Sequence, residues 1–354
     1  MKIGVPKEIK LKEGRVALTP LGVESFVKAG HEVVIETGAG KISGISDKDY
    51  KKAGAKISKN LKEIWSADMI IKVKEPQEKE FRYFRPDLIL FTYLHLAAFP
   101  KLTEKLVDKK VIAIDYATVE LPNGSLPLLK PMSKVAGKLA GKVGQELLKS
   151  KGKKALILGG GTAGENAAEV LLNSKFEVTI LEKNPKKIEY LKEKFGSHLK
   201  VFSPEEKSIA KLLPEIDILI GTILITGAKA PKLVTEEMVK TMRKGSVIVD
   251  VSIDQGGCVE TSHPTTHKNP TFKKHGVIHY CVANMPGIVP DISTFALTKE
   301  TLPYALELAN KGFKRAVKEN PALAKGVNVY KGEITYQKLA EAFGKEYVPL
   351  ENLL

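Results

Sequence analysis

Cysteine is nearly absent: the 354 residues contain Cys258 and Cys281 and no Cys-x-x-Cys pair. Two thiols allow one bridge at most, so a disulfide framework is excluded as the organising principle. Long hydrophobic runs are missing too. The longest apolar-rich stretch, Leu88–Phe99, is shorter than the ~20 residues a bilayer-spanning helix needs. The opening MKIGVPKEIKLKEGR carries no apolar segment of the secretory type, and a cytoplasmic location is expected. Acids are the scarcer charge, 41 against 56 Lys and Arg, for a net charge of +15. Such an excess can serve a polyanion or a membrane surface. Here the lysines are spread along the chain and often stand beside acids, as in Lys192-Glu193-Lys194 and Glu206-Lys207. Without a dense basic run the excess reads as a solvated surface, and neither a nucleic-acid nor a membrane partner is expected.

What is present is an ordinary globular composition, 43% hydrophobic and 27% charged, in a chain longer than one core usually serves. Short apolar runs alternate with helical stretches, which predicts α/β architecture with parallel sheets. Strands are predicted at Lys2–Pro6, His31–Glu36, Met69–Val73, Leu88–Leu94 and Val111–Tyr116, with helices at Thr19–Ala29, Asp47–Ala53 and Lys101–Asp108. Thr19 has the chemistry of an N-cap, and Gly30 that of a stop. The turn-rich Leu121–Pro131 is the best boundary, followed by a long helix, Lys134–Ser150, ended by Gly152. The rhythm then restarts, with strands at Ala155–Leu158, Val178–Leu181, Ile216–Ile220, Val247–Val251 and Val277–Val282. Helices fall at Glu165–Ser174, Pro185–Phe195 and Thr235–Met242. From about Asp291 the chain reads as helical with a short tail, and this stretch is expected to return to the first domain.

The turn Gly159-Gly160-Gly161-Thr162-Ala163-Gly164 fits G-x-G-x-x-G, between a predicted strand and a predicted helix, with Glu182 closing the next strand. Glycine lets the backbone turn tightly and approach a pyrophosphate at the helix N-terminus. A carboxylate at the second strand end accepts hydrogen bonds from ribose hydroxyls and repels a 2′-phosphate, so NAD is favoured over NADP. Lys183, beside it, leaves NADP open. Ile223, Asp254 and Asn284 stand at or just past other strand ends, and ligands in such sheets bind outside the carboxyl ends of the strands.

In the first domain, Arg15 lies in the loop after the first strand, and Lys74 and His95 each follow an apolar run. Taken singly they are a surface arginine, a surface lysine and a core-edge histidine. Taken together, two cations and an imidazole suit a small 2-oxo acid: arginine grips a carboxylate bidentately, and histidine titrates near neutrality. Metal ligation is not expected. His263 and His267 are interrupted by Pro264, and His275 and His279 flank a strand-like run that would hold them about 13 Å apart. The aromatic and arginine cluster Phe81–Pro86 reads as packing and surface, and no nucleophile elbow is present.

The stretches GVPKE (Gly4–Glu8), RVALTP (Arg15–Pro20), KVKEP (Lys72–Pro76), FTYLHLAA (Phe91–Ala98), LPLLKPMSKVAG (Leu126–Gly137) and GGGTAG follow one another along the chain. After them come GAKAPKLV (Gly227–Val234), DVSIDQGGC (Asp250–Cys258), YCVANMP (Tyr280–Pro286) and NPALAKG (Asn320–Gly326). In this order, over nearly the whole chain, they resemble the L-alanine dehydrogenase family, itself related to the NAD-binding subunit of proton-translocating transhydrogenase. The resemblance implies two Rossmann-like, doubly wound parallel-sheet domains. Residues 1–129 with 291–354 would form the substrate domain, and 130–290 the NAD-binding domain.

The resemblance also implies roles. Arg15 and Lys74 match the carboxylate-binding pair, His95 the catalytic histidine and Asp254 the catalytic aspartate. Ser133, Thr162, Ala163, Glu182, Ile223, Leu224, Ile253, Val282, Ala283, Asn284 and Met285 match positions that hold NAD, beside Gly159, Gly161 and Gly164 of the glycine turn. The implied reaction joins pyruvate and ammonia to L-alanine by hydride transfer from NADH, and reverses it. The implied assembly is a homohexamer. Three departures stand out: Leu148–Lys154 is shorter than the family's usual insertion, Ala117 replaces a glutamate in Tyr116-Ala117-Thr118, and Glu182 replaces the commoner aspartate. The competing readings are a transhydrogenase subunit, a non-enzymatic NAD-binding protein, a nucleic-acid binder, and an enzyme preferring glyoxylate or another 2-oxo acid.

Overall fold

The computed structural model of the chain describes residues 1–205, 207–223 and 229–354. It divides into two compact units, Met1–Met132 with Val289–Leu354, and Ser133–Ile288. Six strands come first: β1 (Lys2–Val5), β2 (Glu32–Glu36), β3 (Lys56–Ser58), β4 (Met69–Ile71), β5 (Ile89–Thr92) and β6 (Ile112–Asp115). The second unit supplies β7 (Lys154–Leu158), β8 (Glu177–Leu181), β9 (Leu199–Phe202), β10 (Ile218–Gly221), β11 (Val247–Asp250), β12 (Thr271–Lys274) and β13 (Val277–Tyr280). The chain then returns to the first unit with β14 (Val327–Tyr330) and β15 (Glu333–Ile334).

The sheet of the first unit runs β15-β14-β6-β5-β4-β1-β2-β3, and that of the second β12-β13-β11-β10-β7-β8-β9. Both contain the parallel doubly wound order, in which the first strand lies at the centre and the winding reverses beside it. In the first unit the reversal falls between β1 and β4, and in the second between β7 and β10. Alternate residues of the second sheet enter different apolar clusters: Ala155, Ile157, Ile218 and Val249 one, Leu156, Leu158, Leu219 and Ile248 another. Both faces of that sheet are therefore covered, which explains strands that read as continuous hydrophobic runs.

Local signals behave as the chemistry demands. Thr19 caps the helix Pro20–Lys28, accepting from Gly22 N, and Ser46 forms a capping box on the helix Asp47–Lys52. At one end of each sheet the parallel order carries added strands, β12, β14 and β15, that pair antiparallel. Two expectations need correction. The stretch after Asp291 is not helical to a tail: the helices Pro290–Lys311, Phe313–Glu319 and Pro321–Gly326 lead into β14 and β15, and β14 pairs with β6. The two edge hairpins turn through Lys331-Gly332 and His275-Gly276, all four residues at positive φ, as a two-residue hairpin loop requires. Second, the helix predicted at Lys134–Ser150 spans Lys130–Leu147, with Pro131 tolerated in its first turn. A Cβ on Gly137 would sit 2.1 Å from the Ala163 carbonyl oxygen, and one on Gly141 would sit 2.9 Å from Val170. These glycines let that helix lie against the helix Thr162–Asn173 that follows the glycine turn.

Candidate active site

In the first unit, Arg15, Lys74 and His95 follow β1, β4 and β5, three neighbouring strands around the reversal point. Arg15 is buried, 2% exposed. Glu13 grips it as a fork, with Nε donating to Oε1 at 2.6 Å and Nη2 to Oε2 at 2.5 Å, while Nη1 donates to Met132 Sδ at 3.0 Å. Burial opposes ionisation of Glu13, but the Arg15 guanidinium and the Lys74 charge outweigh it and hold the carboxyl below its usual range. One internal carboxylate thus serves two cations, and the fork fixes the guanidinium plane.

Lys74 is half-buried. Its backbone is set by Glu8, whose Oε1 accepts from Val73 N at 2.6 Å and Lys74 N at 3.3 Å, and by Thr92 Oγ1, which donates to its carbonyl at 3.0 Å. Glu8 is steadied in turn by the buried Lys72 at 3.1 Å, which also reaches Glu80 at 3.0 Å.

His95 stands in the left-handed backbone region, φ 51°, ψ 37°, which costs a non-glycine residue of order 1 kcal/mol or more. Its backbone N–H donates to Asp115 Oδ2 at 3.2 Å, and its carbonyl accepts from Ala98 N at 2.9 Å. Burial pushes the Asp115 carboxyl up, with the His95 charge opposing. Asp115 also accepts from Ala117 N at 2.8 Å, so the residue that departs from the family contributes its backbone here. The imidazole is 41% exposed, its Nδ1 lies 3.7 Å from Glu75 Oε2, and its ring centroid is 5.9 Å from that of Tyr93.

In the second unit the glycine turn joins β7 to the helix Thr162–Asn173. Gly159 has φ +95°, and a Cβ on Gly164 would sit 1.9 Å from Gly159 O, so both are required by the turn itself. Gly161, with φ −66°, is different: a Cβ there would meet no heavy atom within 4 Å. The fold does not need this glycine, and open space lies where a side chain would stand at the N-terminus of a twelve-residue helix. That cradle fits a pyrophosphate. Glu182, at the end of β8, accepts from Gly160 N at 2.6 Å, Lys183 N at 2.7 Å and Asn184 N at 2.9 Å, fixing the carboxylate beside the turn.

The other candidates line the same sheet edge. Ile223, after β10, borders Gly159. Ile253 and Asp254 lie on the short turn Val251–Gln255 after β11, and Val282 to Met285 follow β13. Thr162 and Ala163 open the helix after the glycine turn, and Ser133 lies in the first turns of the helix Lys130–Leu147. Leu224 lies outside the described residues. Asp254 Oδ1 accepts from Asn284 N at 2.9 Å, and Asn284 is itself left-handed at φ 55°. Behind this pair, buried Asp250 accepts from Cys258 N at 3.0 Å and Val259 N at 3.2 Å. It closes the loop Val251–Gly257 and so sets where Asp254 stands.

His263, His275 and His279 have other partners. His279 Nδ1 donates to Val277 O at 3.1 Å and its Nε2 lies 2.7 Å from Thr261 Oγ1, with burial depressing its pKa to about 4. His263 stacks on Phe272, and His275 is the hairpin turn residue, bonded to Glu236 at 2.7 Å. Tyr83 and Phe84 pack on Trp65, and Phe81 stacks on Phe84. Sequence reasoning passed over Glu8, Glu13, Glu75 and Asp115. Glu8 and Glu75 lie in the stretches GVPKE and KVKEP and Glu13 lies two residues from Arg15, so proximity was a signal for these three; Asp115, 20 residues from His95, carries none.

The family model for the alanine dehydrogenase/PNT N-terminal domain matches residues 4–136, and that for the C-terminal domain matches residues 128–337. The chain belongs to the alanine dehydrogenase/PNT family. Alanine dehydrogenase 2 of Staphylococcus aureus (strain USA300) is 51% identical over 371 aligned positions, covering 100% of both chains. The alignment is longer than this chain of 354 residues, so the relative carries residues with no counterpart here. Among solved structures, an L-alanine dehydrogenase superposes with a TM-score of 0.91 at 46% identity, covering 97% of this chain and 99% of that one. A transhydrogenase from Sinorhizobium meliloti, with a TM-score of 0.82 at 22% identity, covers 95% and 99%, which shows the shared fold.

Proposed function

We propose that this family member is an L-alanine dehydrogenase, catalysing reversible NAD-dependent oxidative deamination of L-alanine to pyruvate and ammonia. The observation that carries the proposal is Arg15, Lys74 and His95 in the loops that follow three adjoining strands, in a chain similar over its full length to alanine dehydrogenases. Residues 1–129 with 291–354 would bind substrate and 130–290 the cofactor. Arg15 and Lys74 would hold the carboxylate of pyruvate or alanine. When bound, NAD supplies the hydride acceptor. Gly159, Gly161, Thr162, Ala163 and Gly164 would cradle its pyrophosphate, with Glu182 on the ribose hydroxyls. Ser133, Ile223, Leu224, Ile253 and Val282 to Met285 would complete that site.

In reductive amination ammonia adds to the carbonyl carbon, water leaves, and hydride reaches the resulting imine. His95 would hydrogen-bond the carbonyl oxygen and move protons to and from it, work generally worth about 10²–10⁴ in rate. Asp254 would order ammonia or water and stabilise the developing cationic nitrogen. The Asn284–Asp254 hydrogen bond supports a fixed carboxylate for that task.

The chain is further proposed to act in the cytoplasm as a homo-oligomer, a hexamer by family likeness. Light scattering would read the assembly. No described helix is long and apolar enough to cross a membrane. The test of function is alanine-dependent NADH formation by the purified chain, with pyruvate, glyoxylate and larger 2-oxo acids compared in the amination direction. Absence of turnover with alanine and pyruvate would overturn the proposal, and a preference for glyoxylate would replace its substrate.

A further inference from the structure

Glu75 follows Lys74 at the end of β4 and is 2% exposed. Its Oε1 is paired with the Lys10 ammonium, which also lies 5.4 Å from the centre of the Phe99 ring. Its Oε2 is buried, has no hydrogen-bond partner within ordinary reach among the described residues, and faces His95 Nδ1 at 3.7 Å. The His95 backbone is pinned separately, through Asp115 and the left-handed turn. A buried carboxylate oxygen with nothing else to bind therefore faces one nitrogen of an imidazole whose main chain is already fixed.

We propose that Glu75 is a positioning residue for the acid–base step: Oε2 holds His95 with its proton on Nδ1, leaves Nε2 to exchange a proton with substrate, and stabilises the imidazolium that forms. The proposal rests on the reading of His95 as the acid–base group. Histidines in such roles generally have their second nitrogen oriented by a carboxylate. Catalytic hydrogen bonds also tend to be long without substrate and to shorten in the complex, which accommodates the 3.7 Å separation.

Among the described residues, Glu75, Asp115 and the Tyr93 phenol lie around the ring, with Lys10 behind Glu75. Burial works against ionisation of Glu75, but His95 and Lys10 hold its pKa at about 2. It remains a carboxylate across any assay range and does not itself produce a limb near neutrality. A facing carboxylate stabilises the positive charge that the ring takes on during proton transfer, and a neutral amide in its place does not.

The test compares Glu75→Gln and Glu75→Asp with the unaltered enzyme in the alanine-oxidation pH profile. Glu75→Gln is expected to lower kcat ~10-fold or more and to shift the acid limb of the profile, with NADH affinity unchanged. Glu75→Asp should recover part of both. A reduced kcat with an unmoved limb, or an unaltered kcat, overturns the proposal. Histidine carbon and nitrogen shifts of the unaltered chain, assigned with His95→Gln, give a second readout that does not depend on the variants folding. The neutral ring should carry its proton on Nδ1, and the opposite tautomer overturns the proposal. An unaltered chain without alanine turnover would instead refute the function proposed above.

Discussion

Replacing Glu13 by glutamine separates what the first unit needs to fold from what it needs to bind substrate. The Glu13 and Arg15 side chains are 0% and 1% exposed, and their two contacts are 2.6 and 2.5 Å long. Removing one member of a buried ion pair leaves the other desolvated and uncompensated, at a cost of about 3–5 kcal/mol. The neutral amide keeps the shape and can still accept one hydrogen bond, so the lower end of that range is expected at pH 7. The Glu13 carboxyl is lowered in the folded chain. Its contribution is therefore present above the unfolded carboxylate pKa and fades as pH falls through the folded value. Denaturant unfolding of the unaltered and Glu13→Gln chains at pH 7 and near pH 3 should show the difference shrink on acidification. The double variant Glu13→Leu/Arg15→Met should regain most of the stability and bind no pyruvate. A single variant within 1 kcal/mol of the unaltered chain at pH 7, with an unchanged KM for alanine, would refute the account of this pair.

The nucleotide side and the acid–base groups give three more expectations. Gly161→Ala places a methyl where no protein atom lies within 4 Å, so stability should change by under about 1 kcal/mol while NADH affinity, read by fluorescence titration, falls at least several-fold; unchanged affinity would separate this turn from the pyrophosphate. Gly137→Ala drives a methyl to 2.1 Å from a backbone oxygen. Overpacking of this kind costs about 1–3 kcal/mol and should lower the thermal midpoint and weaken NADH binding together. His95→Ala and Asp254→Ala should each lose most turnover while NADH still binds, and retained turnover in both would contradict their assigned roles.

What the sequence disclosed depended on whether the signal was local. Thr19 and Ser46 announce helix starts through side-chain oxygens that meet backbone N–H groups a few residues away. The apolar runs that became β7, β10 and β11 were legible because both faces of their sheet are buried. The strands β3 and β9 were not, since Lys56–Ser58 and Leu199–Phe202 lie at sheet edges and alternate too briefly to show a period. Lys331-Gly332 and His275-Gly276 were hairpin turns in plain view, but without Asn-Gly or Asp-Gly only their positive φ in the fold reveals them. At the site, the cations stood out by residue type. Their carboxylate partners did not: Glu13 lies two residues from Arg15 in sequence, but Glu75 reaches His95 and Asp115 reaches its backbone through strand pairing alone.

Those partners follow from the cost of desolvation. A cation taken from water needs a counter-charge or a hydrogen-bonded shell, and the first unit supplies one at each point. Glu13 serves Arg15 and lowers the field of Lys74, Glu8 and Glu80 serve Lys72, and Glu75 faces His95. Counting Arg15, Lys74 and Glu13 alone, the proposed carboxylate-binding corner carries one net positive charge, which a single substrate carboxylate would neutralise. A dicarboxylate would add a second negative charge with no cation of its own. On this reasoning Glu13 sets charge selectivity as well as geometry. Relative to pyruvate, oxaloacetate should be used poorly by the unaltered chain and less poorly by Glu13→Gln, where the corner gains a positive charge. An unchanged ratio of kcat/KM for the two acids would show that the buried pair shapes the guanidinium without tuning the field the substrate meets.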